Sequence, residues 1–197
     1  MRVGVLDAQG DVYENLRAVR SALKPAGKKA DVVRVSGAAV KDVDALVIPG
    51  GESTAMGRLC SGDGSLDLIR SRIESGMPVL GVCAGLVLLS KGVTDSTAGS
   101  TGQPLVGALD VDIVRNAFGR QSQSFEAAIS MEEIGIKRYN GVFIRAPYVS
   151  RTGDGVKGIA SLGGRVVAVK KGAILGTAFH PELSGDHSLH AHFLGLL

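Results

Sequence analysis

The feature of this chain that most limits its fold is a recurrence: short, largely apolar runs that end at glycine turns alternate with stretches whose apolar residues return at helical spacing. Residues 2–6, 31–35, 45–48 and 78–82 are such runs, and the last two lead into Pro49-Gly50-Gly51 and Cys83-Ala84-Gly85. Between them Val12, Leu16, Val19 and Leu23 mark one face of a helix, as do Leu66, Ile69 and Ile73. Gln9-Gly10 reads as the first turn. Asp11, with Glu14 three residues on, has the pattern of a capping box at the start of the first helix, and Pro25 and Gly27 end it. Apolar strands alternating with amphipathic helices call for a mostly parallel central sheet with helices on both faces. The expected fold class is α/β, doubly wound and flavodoxin-like.

Beyond about Gly107 the rhythm changes. Residues 108–114, 141–145, 155–160, 165–170 and 173–177 read as further strands, which extend the sheet and build loops over a site, and residues 185–197 read as a closing helix. With 197 residues, 45% of them hydrophobic, the chain is able to bury about 70% of its unfolded surface. Residues 1–197 are therefore expected to form one domain. No window approaches the roughly 18 apolar residues that span a bilayer, and Met1 runs straight into a strand rather than a signal peptide. The expected setting is the cytoplasm, without a membrane partner. The 22 basic and 19 acidic residues are scattered, which argues against a nucleic-acid partner.

Only two cysteines occur, too few for a disulfide framework and wrongly spaced for zinc. Cys60 reads as structural, beside a helix end. Cys83 sits between glycines in Gly81-Val82-Cys83-Ala84-Gly85, where a buried strand meets a helix expected over residues 86–90. That is the form of a nucleophile elbow, in which a strained bend projects the side chain above the sheet. The following helix end favours thiolate, and the Ala84 N–H is aimed where an oxyanion would form. Taken alone, the pattern also fits a small buried cysteine packed beside glycines.

The second element is Phe179-His180-Pro181-Glu182, after the apolar run 173–177. On extended backbone, residues two apart project to one side, so Glu182 would orient His180 while His180 faces a nucleophile from another strand. An imidazole poised near neutrality is suited to taking a thiol proton and returning one to a leaving amine. A third element, Pro49-Gly50-Gly51-Glu52-Ser53-Thr54, permits close backbone approach to a ligand; Gly51 is the better candidate for a second oxyanion N–H, and Ser53 reads as a helix cap. His187, His190 and His192 invite a metal reading, but a solvated terminal helix accounts for them better.

Across essentially the whole chain the sequence resembles the class I, triad-type glutamine amidotransferases, and within them the glutaminase subunits of pyridoxal 5′-phosphate synthases. The resemblance is carried in order by PGGEST (49–54), GVCAG (81–85), RNAFGRQ (115–121), FIRAP (143–147) and FHPEL (179–183). It implies Cys83 as nucleophile, His180 as general base and acid, and Glu182 as its orienting carboxylate. It also implies Gly51 and Ala84 as backbone oxyanion donors, and Gly50, Gly51, Glu52, Arg115, Ile144 and Arg145 as the holders of L-glutamine. Arg120, in the same motif as Arg115, is assigned no role. The implied partner is the barrel-shaped pyridoxal 5′-phosphate synthase subunit, which would receive ammonia; no metal and no organic cofactor is implied. A different acceptor synthase, or a non-catalytic thiol sensor on the same fold, are the competing readings. The family usually has Leu-Ala-Leu-Gln-Gly at the first turn, where this chain reads Leu6-Asp7-Ala8-Gln9-Gly10.

Overall fold

The fold is that of a computed structural model describing residues 1–119 and 121–197. The first half alternates as the apolar pattern requires: β1 (Arg2–Leu6), α1 (Val12–Leu23), β2 (Asp31–Val35), β3 (Ala45–Ile48), α2 (Ser53–Gly62), α3 (Ser65–Glu74), β4 (Val79–Val82) and α4 (Ala84–Leu89). The second half contributes β5 (Ser90–Asp95), β6 (Gly99–Ser100), β7 (Leu109–Arg115), β8 (Phe125–Met131), β9 (Ile136–Phe143), β10 (Tyr148–Thr152), β11 (Lys157–Leu162), β12 (Arg165–Lys171), β13 (Ile174–Thr177) and α5 (Ser188–Leu194).

The central sheet runs β2-β1-β3-β4-β13-β12-β10-β7-β5-β6, with β11 also paired to β12. From β2 to β13 every pairing is parallel. The strands added beyond β13 are mostly antiparallel, with β5 and β7 again parallel. The parallel block is apolar because both faces are covered: Val3, Val5, Leu46, Val47, Ile48, Leu80 and Val82 are all inaccessible to solvent. Burying such side chains stabilises the fold by about 1.5–3 kcal/mol each. In an open α/β sheet of this order, ligands bind beyond the carboxyl ends of the strands. The segments following β1, β3, β4 and β13 meet at that end.

Several local expectations are corrected. The closing helix covers seven residues rather than 185–197, and it is not solvated: Leu189, His190, Phe193 and Leu194 are fully buried, with α5 packed on α1. The expected strand over 141–145 is the end of the longer β9, which forms a separate hairpin with β8. At the start of α1, Asp11 occupies the cap position but its side chain makes no capping bond. The cap of α2 is Glu52 rather than Ser53, its carboxylate accepting from the N–H groups of Thr54 and Ala55 at 3.2 and 2.7 Å.

Candidate active site

Cys83 stands between β4 and α4 with φ 47° and ψ −98°, a conformation that few non-glycine residues adopt. It is held there by its own N–H, which donates to the Thr177 carbonyl of β13 at 2.7 Å. The neighbouring glycine is required by space: a Cβ on Gly85 would lie 2.1 Å from the Ile48 carbonyl oxygen, so α4 seats on β3 only without a side chain there. Cys60, by contrast, lies within α2, buried, and burial followed by the charge of Asp63 pushes its thiol up to about 11. A thiol held protonated in this way is a poor nucleophile.

His180 follows β13, the parallel neighbour of β4, so the topology delivers it beside Cys83. Both residues line one cleft, and Cys83 is among the groups that raise the His180 pKa. His180 is extended, but Glu182 belongs to a 3-10 turn (Pro181–Leu183) rather than to a strand, so the expected two-residue alternation is not what joins them. The turn achieves the same end: His180 Nδ1 lies 2.7 Å from Oε1 of Glu182, whose side chain is fully buried. Tyr139 of β9 braces this turn, donating toward the carbonyls of Pro181 and Asp186 and sharing a 2.8 Å bond with the Ser184 hydroxyl. Asp11 approaches the same ring nitrogen, its Oδ2 at 3.3 Å. Burial disfavours charge on His180, but the bonds to Asp11, Cys83 and Glu182 outweigh it and raise the imidazole pKa well above its ordinary value. The ligand atoms of Asp11, His180 and Glu182 all lie within 4.8 Å of one another, the one such cluster among the described residues close enough for a metal ion.

A cleft of about 290 Å³ opens above Cys83. Its size falls at the small end of ligand pockets, suiting one amino acid better than a nucleotide. Cys83, His180, Gly51, Ala84, Glu52, Arg115, Ile144 and Arg145 all line it. Gly50 and Glu182 do not: Gly50 packs beneath the His180 ring, and Glu182 lies behind it. Ala84 is the first residue of α4, so its N–H has no partner within the helix. Among the described residues, the three non-glycine residues with positive φ, Cys83, Asn116 at 53° and Arg145 at 44°, line this same cleft. Backbone strain concentrated at one cavity is a mark of function.

Some contributors carry no motif signal of their own. Arg115 Nη1 donates to Ser53 Oγ, Thr54 Oγ1 and Gln103 Oε1 at 3.0, 2.8 and 2.6 Å, while its other nitrogens lie 3.5 Å from Glu52 and 3.6 Å from Asp95. Gln103, Asp95 and Gln9 join the site without a motif to mark them, and Asn116 does so from within RNAFGRQ without an assigned role. Asp95 ends β5 and Gln103 sits in the loop before β7, neither in a motif, and Gln9, which accepts from the Glu52 N–H at 2.7 Å, reads only as part of a turn. The Asp95 carboxyl is held down to about 2, chiefly by the N–H and hydroxyl of Thr97, then by Ala98 and Asn116. Burial works against ionisation of Glu52, but N–H bonds from Ala55 and Thr54 and the charge of Arg115 keep it below the usual carboxylate range. Arg120 lies outside the described residues.

The model of the SNO glutamine amidotransferase family matches residues 5–196. This chain belongs to that family. Among its relatives, the pyridoxal 5′-phosphate synthase subunit PdxT of Nitrosopumilus maritimus is 48% identical, over 100% of this chain and 96% of its own. The protein of the same name from a Parafrankia species is 46% identical over 100% of this chain and 93% of its own. A solved structure described as a glutamine amidotransferase superposes with a TM-score of 0.84 at 41% identity, covering 98% of this chain and 97% of the other. Family membership thus agrees with the fold expected from the alternating apolar pattern.

Proposed function

We propose that this chain is a single-domain, cytoplasmic glutaminase subunit of a pyridoxal 5′-phosphate synthase, hydrolysing L-glutamine to L-glutamate and passing the ammonia to its synthase partner. The observation that carries this reading is that Cys83 and His180 line a cleft sized for one amino acid, with the buried Glu182 2.7 Å behind the His180 ring. The relatives named as subunits of that synthase, matched end to end, support the choice of partner.

In this mechanism His180, whose raised pKa favours the imidazolium, takes up the Cys83 proton so that the sulfur reacts as thiolate. The sulfur attacks the side-chain amide carbon of glutamine, and the carbonyl oxygen takes up negative charge opposite the backbone N–H groups of Gly51 and Ala84. His180 then gives its proton to the departing nitrogen, and ammonia leaves as the γ-glutamyl thioester forms. Once the sulfur is acylated, His180 loses the contact with a thiolate that favoured its charge. It then accepts a proton from water, whose oxygen attacks the thioester; the C–S bond breaks, glutamate leaves, and the thiolate and the protonated His180 are restored. In this reading Glu52 pairs with the ammonium of the substrate and Arg115 or Arg145 with its α-carboxylate, a reading supported by all three lining the cleft. Ammonia released into bulk water near neutral pH would largely become ammonium, which is not nucleophilic, so direct transfer to a docked synthase preserves its reactivity.

Glutamate release measured with the synthase subunit present tests the assignment. Cys83→Ala should lower the rate by about a thousandfold or more, the scale on which removal of a nucleophile acts, and a glutamine-like alkylating agent should label Cys83 and not Cys60. Full turnover by Cys83→Ala would refute it.

A further inference from the structure

The imidazole of His180 faces two carboxylates, and the triad uses only one. Glu182 takes the shorter contact with Nδ1, 2.7 Å, from a fully buried position. Asp11 Oδ2 stands 3.3 Å from the same nitrogen with its side chain 40% exposed. Its placement is built in by the backbone. The Asp11 N–H donates to the Gly50 carbonyl at 3.1 Å, tying the start of α1 to the turn after β3. A Cβ on Gly50 would lie 2.5 Å from His180 Cε1 and 2.9 Å from Asp11 Oδ2, so the absence of a side chain at position 50 is what lets ring and carboxylate meet. Asp11 also forgoes the capping bond that its position at the head of α1 offers. The hydrogen bond to His180 is the largest influence on its carboxyl, holding it below the usual range.

We propose that Asp11 is a positioning residue for the triad, a second carboxylate at Nδ1 that stabilises the His180 imidazolium and with it the Cys83 thiolate before glutamine is attacked. This rests on the reading of Cys83, His180 and Glu182 as the catalytic triad. Among the described residues, the titratable groups facing the ring are Glu182 on its own turn, Asp11 from the head of α1 and Cys83 from the elbow, with Glu52, Arg115 and Arg145 farther along the cleft. Glu182 Oε2 is buried without a partner among the described residues, so Glu182 has no second donor to share its charge with. Asp11, being partly solvated, supplies negative potential at lower desolvation cost.

The test is Asp11→Asn, which keeps the shape and removes the charge; since the native side chain caps nothing, α1 should survive. Two profiles are read: the rate of Cys83 alkylation by iodoacetamide against pH, and kcat/KM for glutamine with the synthase subunit bound. Asp11→Asn should slow alkylation at pH 6–7 about five- to tenfold and move the basic limb of kcat/KM to lower pH by about one unit, the low end of the effect of a nearby opposite charge. Asp11→Glu should recover part of both. Unchanged profiles would overturn the proposal, and so would a uniform loss of rate that moves neither profile, because that marks a purely structural residue. Failure of the triad reading looks different: Cys83 would resist alkylation in the unmodified protein, or Cys83→Ala would still turn over.

Discussion

Two of the four histidines lie in the interior, in different regions, and burial treats them alike while their surroundings do not. His180, at the carboxyl end of the parallel sheet, is 4% exposed, and His190, in α5 against α1, is wholly buried. His180 meets two carboxylates and a thiol. Neither ring nitrogen of His190 has a partner among the described residues. Burial followed by the nearby His187 drives the His190 pKa down to about 4, whereas the partners of His180 reverse the effect of burial and drive its pKa up. Burial therefore says little about whether a histidine does chemistry. The partners of its two nitrogens decide whether it is held as a cation, ready to give a proton, or as a neutral packing element.

The largest effect that tests this contrast is on turnover. His180→Asn should cost about a hundred- to ten-thousandfold in glutamate release, the range for loss of a general acid–base. His190→Leu should leave kcat and KM within about twofold. Comparable losses in both variants would break the distinction.

A second effect concerns stability, and here the two residues act with opposite sign. His190 has a folded pKa below its ordinary 6.5, so the unfolded chain takes up the proton first. Stability is unaffected above about pH 6.5, falls as pH drops toward 4, and levels off below that. The full span is worth roughly 3 kcal/mol by linkage. His180, with its pKa raised, contributes stability that is complete below the unfolded value and fades as pH rises through its folded one. Chemical denaturation of His190→Leu at pH 7 and pH 4.5 should show a smaller difference between the two conditions than the unmodified protein. An unchanged acid dependence would mean that His190 is not the group being protonated.

The contrast also marks how far the sequence reaches. The parallel core follows from the uniform apolar runs, because a strand buried on both faces admits little else. The residues proposed as the triad lie in motifs that local pattern makes legible, with Cys83 just past β4 and His180 past β13, although the pairing of His180 with Glu182 comes from a 3-10 turn rather than strand alternation. Asp11 was read as a helix cap because capping is what an acid before an amphipathic run ordinarily does. Its approach to His180 depends on two chain segments separated by the whole molecule, which no local pattern encodes. The same is true of β5 and β10, whose polar residues hide them until the sheet brings their partners alongside, and of His190, a polar residue of α5 whose sequence gives no sign of its burial.

Gln103 supplies the smallest and sharpest version of the comparison, because it combines both situations in one side chain. Its Oε1 accepts from Arg115 and from the hydroxyls of Ser53 and Thr54, while its Nε2 is buried without a partner among the described residues. If partnered polar groups serve the site, the oxygen should matter and the nitrogen should not. Gln103→Leu removes one acceptor from Arg115 but leaves Ser53, Thr54, Glu52 and Asp95 around it. Losing one bond to a charged group with such backing should cost about 1 kcal/mol, or roughly a fivefold rise in the KM for glutamine. The catalytic rate should hold within about twofold if Arg115 serves binding, as proposed, because its partners are Ser53, Thr54, Gln103, Glu52 and Asp95 rather than Cys83 or His180. Steady-state kinetics with the synthase bound separates the two parameters. A fall in kcat at constant KM would place Gln103 among the groups that act on the chemistry and would detach it from Arg115.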